Sequence, residues 1–496
     1  MRSPSFRKQL ALLGALALAA CAGDPNTPNR APVAEKWLTR AKVAYRAGDL
    51  EDATSAIDGA LKAAPKDDET RLLAARIALA KLEYGEALKL TEGLVSSDAR
   101  GLRGRAYWYA GDIERAADEL EEMLKDPQIK DTWAKEVAKL ARRGHGRHPF
   151  AIEGGLVAAV EMPQAGPALI VPCELEGERI LAIVATNMGE LMIDASTRKE
   201  PAWVNLRFGD RLEVKDVPAL TTDLSNISRQ LGAPIKALLG VNALRHMHVT
   251  FDRRASQFVV RKSDPPPPPD ASKVPLFYVR GGGMMMRGAV SSKDEGNAVL
   301  FVDSSAFYPL ALDDQLLQRS GANLASFQSA PGAPPSWKLG MLPYFRIGQL
   351  DLSAAQVPAM QGAPLGEIKS NFDVDLGGVV GAGLLAAFRV TLGEDGRWLW
   401  LEMDPAVMQS QPGRPQVPPM PGDTGPASGP PGPQSPPAAP PKSGPPAPQG
   451  PPSPPKTGPA PGPAVGPLPP PGATQGPPKP GATNPTPKPE SKGAAK

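Results

Sequence analysis

Two short stretches of this 496-residue chain place a polar triplet at the end of an apolar run. One reads LFVDSS (300–305) and the other AIVATN (182–187). In the first, Asp303 precedes Ser304 and Ser305; in the second, Ala185 precedes Thr186 and Asn187. A carboxyl group at the tip of an apolar strand can act as a general acid or base towards a bound water or carbonyl. Two carboxyls in hydrogen-bond contact cannot both ionise, so they share a proton and divide the acid and base duties. These triplets supply one carboxyl, Asp303, and one methyl, Ala185. Asp303 is therefore expected to titrate alone, with a pKa displaced upward only by burial. Asp194, Asp313 and Asp314 lie past the strands that follow and read as turn residues or helix caps.

The other chemistry-bearing residues carry weaker signals. His145 and His148 sit among Gly and Pro neighbours and read as linker residues. His246 and His248 are expected on one strand face, where two imidazoles could ligate a metal, although half-exposed structural positions fit as well. Glycines 281–283 lack the Lys-Ser/Thr step and the helix start of a phosphate loop, so a loop entering a buried strand fits better. Cys173 lies in an apolar run and reads as a small buried hydrophobe. Trp398 and Trp400 alternate with apolar residues on a closing strand and carry no ligand signal of their own. No residue set points to a cofactor or a metal.

The elements that must hold the two triplets occur twice. The stretch LGVNALRHMHVTF (239–251) aligns without a gap on VGAGLLAAFRVTL (380–392). Gly240 meets Gly381, Leu244 meets Leu385, and Val249-Thr250 meets Val390-Thr391. His246 and His248 then correspond to Ala387 and Arg389. Residues 253–260 match the closing strand 397–401. Phe208-Gly209 with Val217-Pro218-Ala219 parallels Ile347-Gly348 with Val357-Pro358-Ala359. An opening hairpin at 171–184, turning at Gly177, parallels 287–302, turning at Gly296. Short β-rich runs with turn signals fill both copies.

On these motifs each copy resembles a retropepsin-like aspartic protease lobe. That family places a D-T-G or D-S-G triplet after a hairpin strand, then a flap hairpin, then a helix opening on an apolar-Gly motif. Leu238-Leu239-Gly240 and Val380-Gly381 are similar to that helix start. The resemblance implies two lobes about a pseudo-twofold axis, one loop from each meeting in a cleft. It makes Asp303, with Ser304, the one remaining dyad position. It makes Ala185, with Thr186, the vacant one. Asn187 and Ser305 stand where the family has Gly; Asn tolerates left-handed backbone, so the turn in the first copy is expected to persist.

Upstream of the lobes, helical periodicity runs from about residue 34 to 143. Small residues and Gly-Asp turns recur at a period near 34 residues and resemble the tetratricopeptide repeat. Gly48-Asp49 and Gly111-Asp112 mark two of the turns, while Leu82 stands at the third. Three helix pairs and a closing helix (128–143) are expected to stack into an array with a concave groove for a protein or peptide partner. The N-terminus has basic residues, an apolar run too short to span a membrane, and Leu18-Ala19-Ala20-Cys21. This resembles the bacterial lipobox, which implies an acylated Cys21 and a membrane contact. Ala22 after the Cys is similar to lipoproteins sorted to the outer membrane.

The resulting reading is a multidomain chain with an all-α repeat array followed by an all-β double-lobed, aspartic-protease-like domain. Its expected segments are a signal peptide (1–20), a lipidated Cys and tether (21–33) and the array (34–145). Lobe 1 (150–262), a Pro linker (263–273) and lobe 2 (274–404) follow, then a disordered Pro-rich tail (405–496). That tail holds more than half of the 60 prolines and almost no branched apolar residues. A net charge of +3 argues against nucleic acid as a partner. The expected function is a membrane-anchored envelope scaffold that binds protein or extended peptide and does not cut it. An endopeptidase using Asp303, and a structural platform with no cleft function, are the alternatives.

Overall fold

The computed structural model describes residues 30–403 apart from 165, 294–296, 331–333, 354–356 and 364. A helical region precedes a β-rich one. The helices form pairs: α1 (Pro32–Arg46) with α2 (Leu50–Ala63), α3 (Asp68–Ala80) with α4 (Tyr84–Thr91), and α5 (Ser97–Tyr109) with α6 (Ile113–Met123). Helix α7 (Thr132–Arg142) closes the array, starting four residues later than the periodicity suggests. Asp49, Asp67, Ser96, Asp112 and Asp131 each cap a helix, accepting a backbone N–H three residues on. Fully buried alanines, among them Ala41, Ala53, Ala56, Ala116 and Ala117, let paired helices approach closely. Gly48 and Gly111 turn with φ of +65° and +82°. Leu82 takes the same left-handed conformation, at φ +62°, without being glycine.

Lobe 1 contains β1 (Ala151–Gly154), β2 (Val157–Glu161), β3 (Ile170–Leu175), β4 (Glu178–Ala185), β5 (Leu191–Asp194), β6 (Ala202–Phe208) and β7 (Leu212–Thr222). These are followed by α8 (Ser225–Leu231), β8 (Ile235–Gly240), α9 (Val241–His246), β9 (Thr250–Asp252) and β10 (Gln257–Arg261). Its sheet runs β7-β5-β8-β4-β3, with β8 threaded between β4 and β5, parallel to the first and antiparallel to the second.

Lobe 2 opens with β11 (Ser272–Val279), two residues earlier than the expected boundary at 274. It continues through β12 (Gly283–Ala289), β13 (Asn297–Asp303), β14 (Leu310–Leu312), α10 (Asp314–Arg319), β15 (Gln328–Ser329), β16 (Lys338–Met341), β17 (Arg346–Ile347) and β18 (Leu350–Asp351). Then come β19 (Pro358–Gln361), α11 (Leu365–Ser370), β20 (Leu376–Gly381), α12 (Ala382–Leu385), β21 (Phe388–Gly393) and β22 (Trp398–Met403). The order β19-β14-β20-β13-β12 repeats that of lobe 1, with β20 threaded as β8 is. Even a register shift recurs, between Leu181 and Ala182 in β4 and between Val299 and Leu300 in β13. The copies differ after β5 and β14. Residues 195–201 alone link β5 to β6, whereas residues 313–337 hold α10 and β15 before β16.

The lobes share one sheet, ordered β11-β22-β21-β9-β10-β2. At its centre β9 and β21 pair antiparallel, with Thr250 opposite Thr391 and their hydroxyls 2.8 Å apart. These two residues align with each other in the duplication, so the seam lies on the internal twofold.

The helical array stands on the lobes by its inter-helix turns. Gly48 faces Val299 and Phe277; a Cβ there would come within 2.6 Å of Val299 Cγ2. Leu82 is buried in the core cluster that fills the lobes. The Tyr109 ring lies on Gly281, and its hydroxyl lies near Gly189. Past α7, Gly144 meets Trp203, whose indole N–H donates to Leu140 O at 2.9 Å. The Arg287–Asp49 ion pair (2.8 Å) and the Asp375 N–H to Arg46 O bond (2.7 Å) frame the first turn.

Candidate functional site

The two triplets sit at equivalent strand ends. Ala185 closes β4 beside Gly240 of β8, and Asp303 closes β13 beside Gly381 of β20. Only glycine fits at 240 and 381: a Cβ would lie 2.0 Å from Glu190 O and from Tyr308 O respectively. This close approach presses each triplet loop against the start of the following helix.

From there the two loops meet across the axis in a closed ring of four hydrogen bonds. The Thr186 hydroxyl donates to Val302 O (2.7 Å) and accepts the Ser304 N–H (3.0 Å). The Ser304 hydroxyl donates to Val184 O (2.7 Å) and accepts the Thr186 N–H (3.0 Å). Each hydroxyl is buried and spends both its donor and an acceptor. Neither Asn187 nor Ser305 has a positive φ, so the turn does not use the left-handed backbone expected at Asn187. That removes the conformational need for glycine at both positions. The Asn187 side-chain oxygen is buried without a partner.

Asp303 is 4 % exposed. Its Oδ1 accepts the Ser305 hydroxyl (2.6 Å) and the Ser305 N–H (2.9 Å). Burial pushes its pKa above the ordinary carboxylate range, and the Ser305 bonds pull less strongly the other way. Across the axis the Ala185 methyl is fully buried in an apolar cluster with Ile170, Ile183 and Leu238, and Phe307 of the opposite loop packs on it. The remaining carboxylates raised by the sequence lie elsewhere in structural roles. Asp194 accepts the Leu224 N–H (3.1 Å) and pairs with Lys236 (3.2 Å). Asp313 caps α10 and pairs with Lys369 (2.6 Å). Asp314 lies in the first turn of α10 and accepts from Gln361. The site is therefore a single carboxyl beside a hydroxyl ring.

The face that carries Asp303 is packed. Strand β13 alternates: Leu300 and Val302 enter the lobe core, while Val299, Phe301 and Asp303 point to the opposite side. On that side Val299 and Phe301 join a cluster with Leu38, Ala41 and Tyr45 of α1. Tyr308 and Trp337, edge to face at 6.3 Å, belong to the same cluster. The array thus covers this face of lobe 2 at Val299, where Gly48 lies against its side chain.

The minor candidates separate. His246 lies in α9 and stacks on Phe150 (4.3 Å), while His248 leaves the helix with φ +43°, so the two imidazoles do not share a strand face. Instead His248 Nδ1 meets Asp264 Oδ1 at 2.9 Å. With Asp395, these residues put one ligand atom each within 4.8 Å of the others, a grouping across three distant segments that sequence spacing does not reveal. His145 contacts Glu114, and the His148 backbone N–H donates to Asp216. Cys173 is buried on β3 and its thiol pKa is pushed up to about 12. Gly281 and Gly282 form a turn, and Gly283 opens β12. Trp400 is buried, and Trp398 carries the Lys273 ammonium 3.6 Å from its ring. Cys21 lies outside the described residues.

No known family and no curated protein matches the chain. Among solved structures it is similar to the TPR domain of Arabidopsis OM64, at 19% identity and TM-score 0.21, over 22% of this chain and 95% of that one. It is also similar to a retropepsin-like aspartic protease from Rickettsia conorii, at 17% identity and TM-score 0.20, over 26% of this chain and 90% of that one.

A further feature that the triplets do not explain is a groove in the array. The first helix of each pair, the end of α6 and the start of α7 line a cavity of about 660 Å³, with Arg280 and Asp373 of lobe 2 at its edge. Leu79, Leu102, Met123 and Trp133 give it apolar walls, and Arg76, Asp98 and Asp131 are charged groups within it. Arg105 lies 3.8 Å from the Trp133 ring centre and pairs with Asp131 at 2.8 Å.

Proposed function

We propose that this chain is a lipid-anchored bacterial envelope protein that binds a protein partner through its tetratricopeptide-like array. Its aspartic-protease-like double lobe serves as a non-catalytic platform. One observation carries the reading. The residue related to Asp303 by the internal twofold is Ala185, sealed in an apolar cluster that a second carboxylate could not enter without a large desolvation cost. A single buried acid has no partner for the opposite proton transfer. The covered face of lobe 2 further favours a platform over a peptide cleft. The groove of the array, with apolar walls and charges of both signs, suits a polypeptide surface better than a nucleic acid or a lipid. The anchor reading rests on Cys21 and its flanking residues, with the outer membrane, periplasmic side, as the proposed location.

Two experiments test it. Purified mature protein is incubated with denatured protein from acidic to neutral pH, and no cleavage is expected. Cleavage that vanishes in Asp303→Asn would establish the endopeptidase alternative instead. In cells, Cys21→Ser is expected to move the protein from the membrane to the soluble fraction; retention on membranes would remove the anchor.

A further inference from the structure

Where the array meets lobe 1, a cavity of about 110 Å³ opens between the α5–α6 turn and the start of α9. Three charged or polar side chains line it, each more than nine-tenths buried: Glu190, Asn242 and Arg245. Trp108, Trp203 and Phe150 supply aromatic walls. The Glu190 carboxyl accepts the Trp108 indole N–H at 3.2 Å and is also hydrogen-bonded by the Trp133 and Tyr109 side chains. Burial raises its pKa above the ordinary range.

Asn242 is held in one orientation. Its Oδ1 accepts from an Arg245 terminal nitrogen at 2.9 Å, so its Nδ2 is the end left over. That Nδ2 is buried and has no acceptor. The Arg245 Nε is likewise buried and unpaired, while another guanidinium nitrogen donates to Tyr84 Oη at 2.8 Å. Unpaired buried donors are rare in folded proteins unless a ligand or a fixed water answers them. Neither residue belongs to the triplet site, and lobe 2 has Gly383 and Ala386 at the aligned positions. The group is therefore particular to lobe 1 and is not required by the shared fold.

The chemistry of an occupant follows from the two ends. Asn242 Nδ2 needs an acceptor, and Glu190, beyond its three donors, keeps one acceptor position, so the ligand is expected to present both a carbonyl and an N–H. A carboxylate would satisfy Asn242 and Arg245 but would face Glu190. An ammonium would satisfy Glu190 but leave Asn242 unmatched beside the Arg245 cation. A neutral carboxamide meets both ends, and its short alkyl stem fits the aromatic walls. We propose that this cavity is a binding site for a small primary carboxamide, presented either free or as the side chain of a glutamine or asparagine in a peptide.

The test uses purified mature protein and ligand-observed NMR with propionamide, propionate and propylammonium. Propionamide is expected to bind at least about tenfold more tightly than either charged analogue, because a site built around paired hydrogen bonds rejects analogues that break them. Asn242→Asp keeps an oxygen for Arg245 but replaces the free donor by an acceptor. It is expected to lower propionamide affinity at least about tenfold and to raise that of propylammonium, with an unchanged circular dichroism spectrum. A glutamine-containing tripeptide compared with free propionamide separates the two sources: stronger binding of the tripeptide assigns a peptide ligand, and binding of propionamide alone assigns a free amide. Absence of propionamide binding, equal binding of all three probes, or affinities indifferent to Asn242→Asp would each overturn the proposal and leave a cavity that holds only water.

Discussion

The hydroxyls of Thr186 and Ser304 hold the two loops together with or without chemistry at Asp303. Thr186→Val removes an acceptor and a donor at once and strands the buried Ser304 N–H and Val302 O. A loss of about 2–4 kcal/mol is expected from denaturant unfolding. Ser304→Ala should cost a similar amount, and the double variant less than the sum, because both side chains close one ring. Asp303 should behave in the opposite sense. Burial raises its folded-state pKa, so between the ordinary carboxylate pKa and the raised value the folded chain binds a proton that the unfolded chain has released. Stability then falls as pH rises through that window. Asp303→Asn is expected to raise Tm by about 2 °C at neutral pH and to leave it unchanged in acid, where the wild-type group is already neutral. An equal shift at both pH values would mean that titration is not the cause. At this scale the sequence exposed much of the geometry, since Thr186 and Ser304 follow aligned apolar strands. It gave no hint of Glu190 or Asn242, because a lone polar residue in an apolar run looks the same whether its neighbours come from another domain or from water.

Among the elements, the turn at Leu82 shows tertiary structure overriding local preference. A leucine in left-handed backbone is strained by roughly 1 kcal/mol, yet its side chain is buried in the core shared with the lobes, a gain of about 1.5–3 kcal/mol. Leu82→Gly therefore relieves strain and still should destabilise the protein, by about 1 kcal/mol in thermal or denaturant unfolding; a stabilised variant would show that the packing contributes little. Gly48→Ala meets both problems together, a left-handed φ and a 2.6 Å approach to Val299. Its expected cost is about 2–4 kcal/mol. The repeat pattern marked Leu82 as the missing turn glycine, and that irregularity was the one local sign of what lies beneath. The helix pairs and the duplicated strands were legible because periodicity and internal alignment report short-range order. Helix α10 and strand β15 of lobe 2, between β14 and β16, were not, since their residues have no counterpart in lobe 1 to align with.

For the molecule as a whole, the docking of array on lobes joins two units that the sequence presents as separate. Its contact residues, Gly48, Tyr109 and Gly144, have the composition of ordinary turns, and their partners lie far along the chain. The apolar clusters run without a break from α1 and α3 into β12, β13 and β20. The chain is accordingly expected to unfold in a single thermal transition followed by both helical and sheet signals. Two resolved transitions would show that the array folds independently of the platform.

The seam at Thr250 and Thr391 bears on how the chain could be divided. A residue that faces its own aligned copy across a twofold is what two identical polypeptides would produce on pairing, and the six-stranded sheet draws half its strands from each lobe. The five prolines at 265–269 then serve as a tether that raises local concentration and add no part of the sheet. Severed between Pro267 and Pro268 and produced as two fragments, the halves should find each other and co-purify as a stable heterodimer.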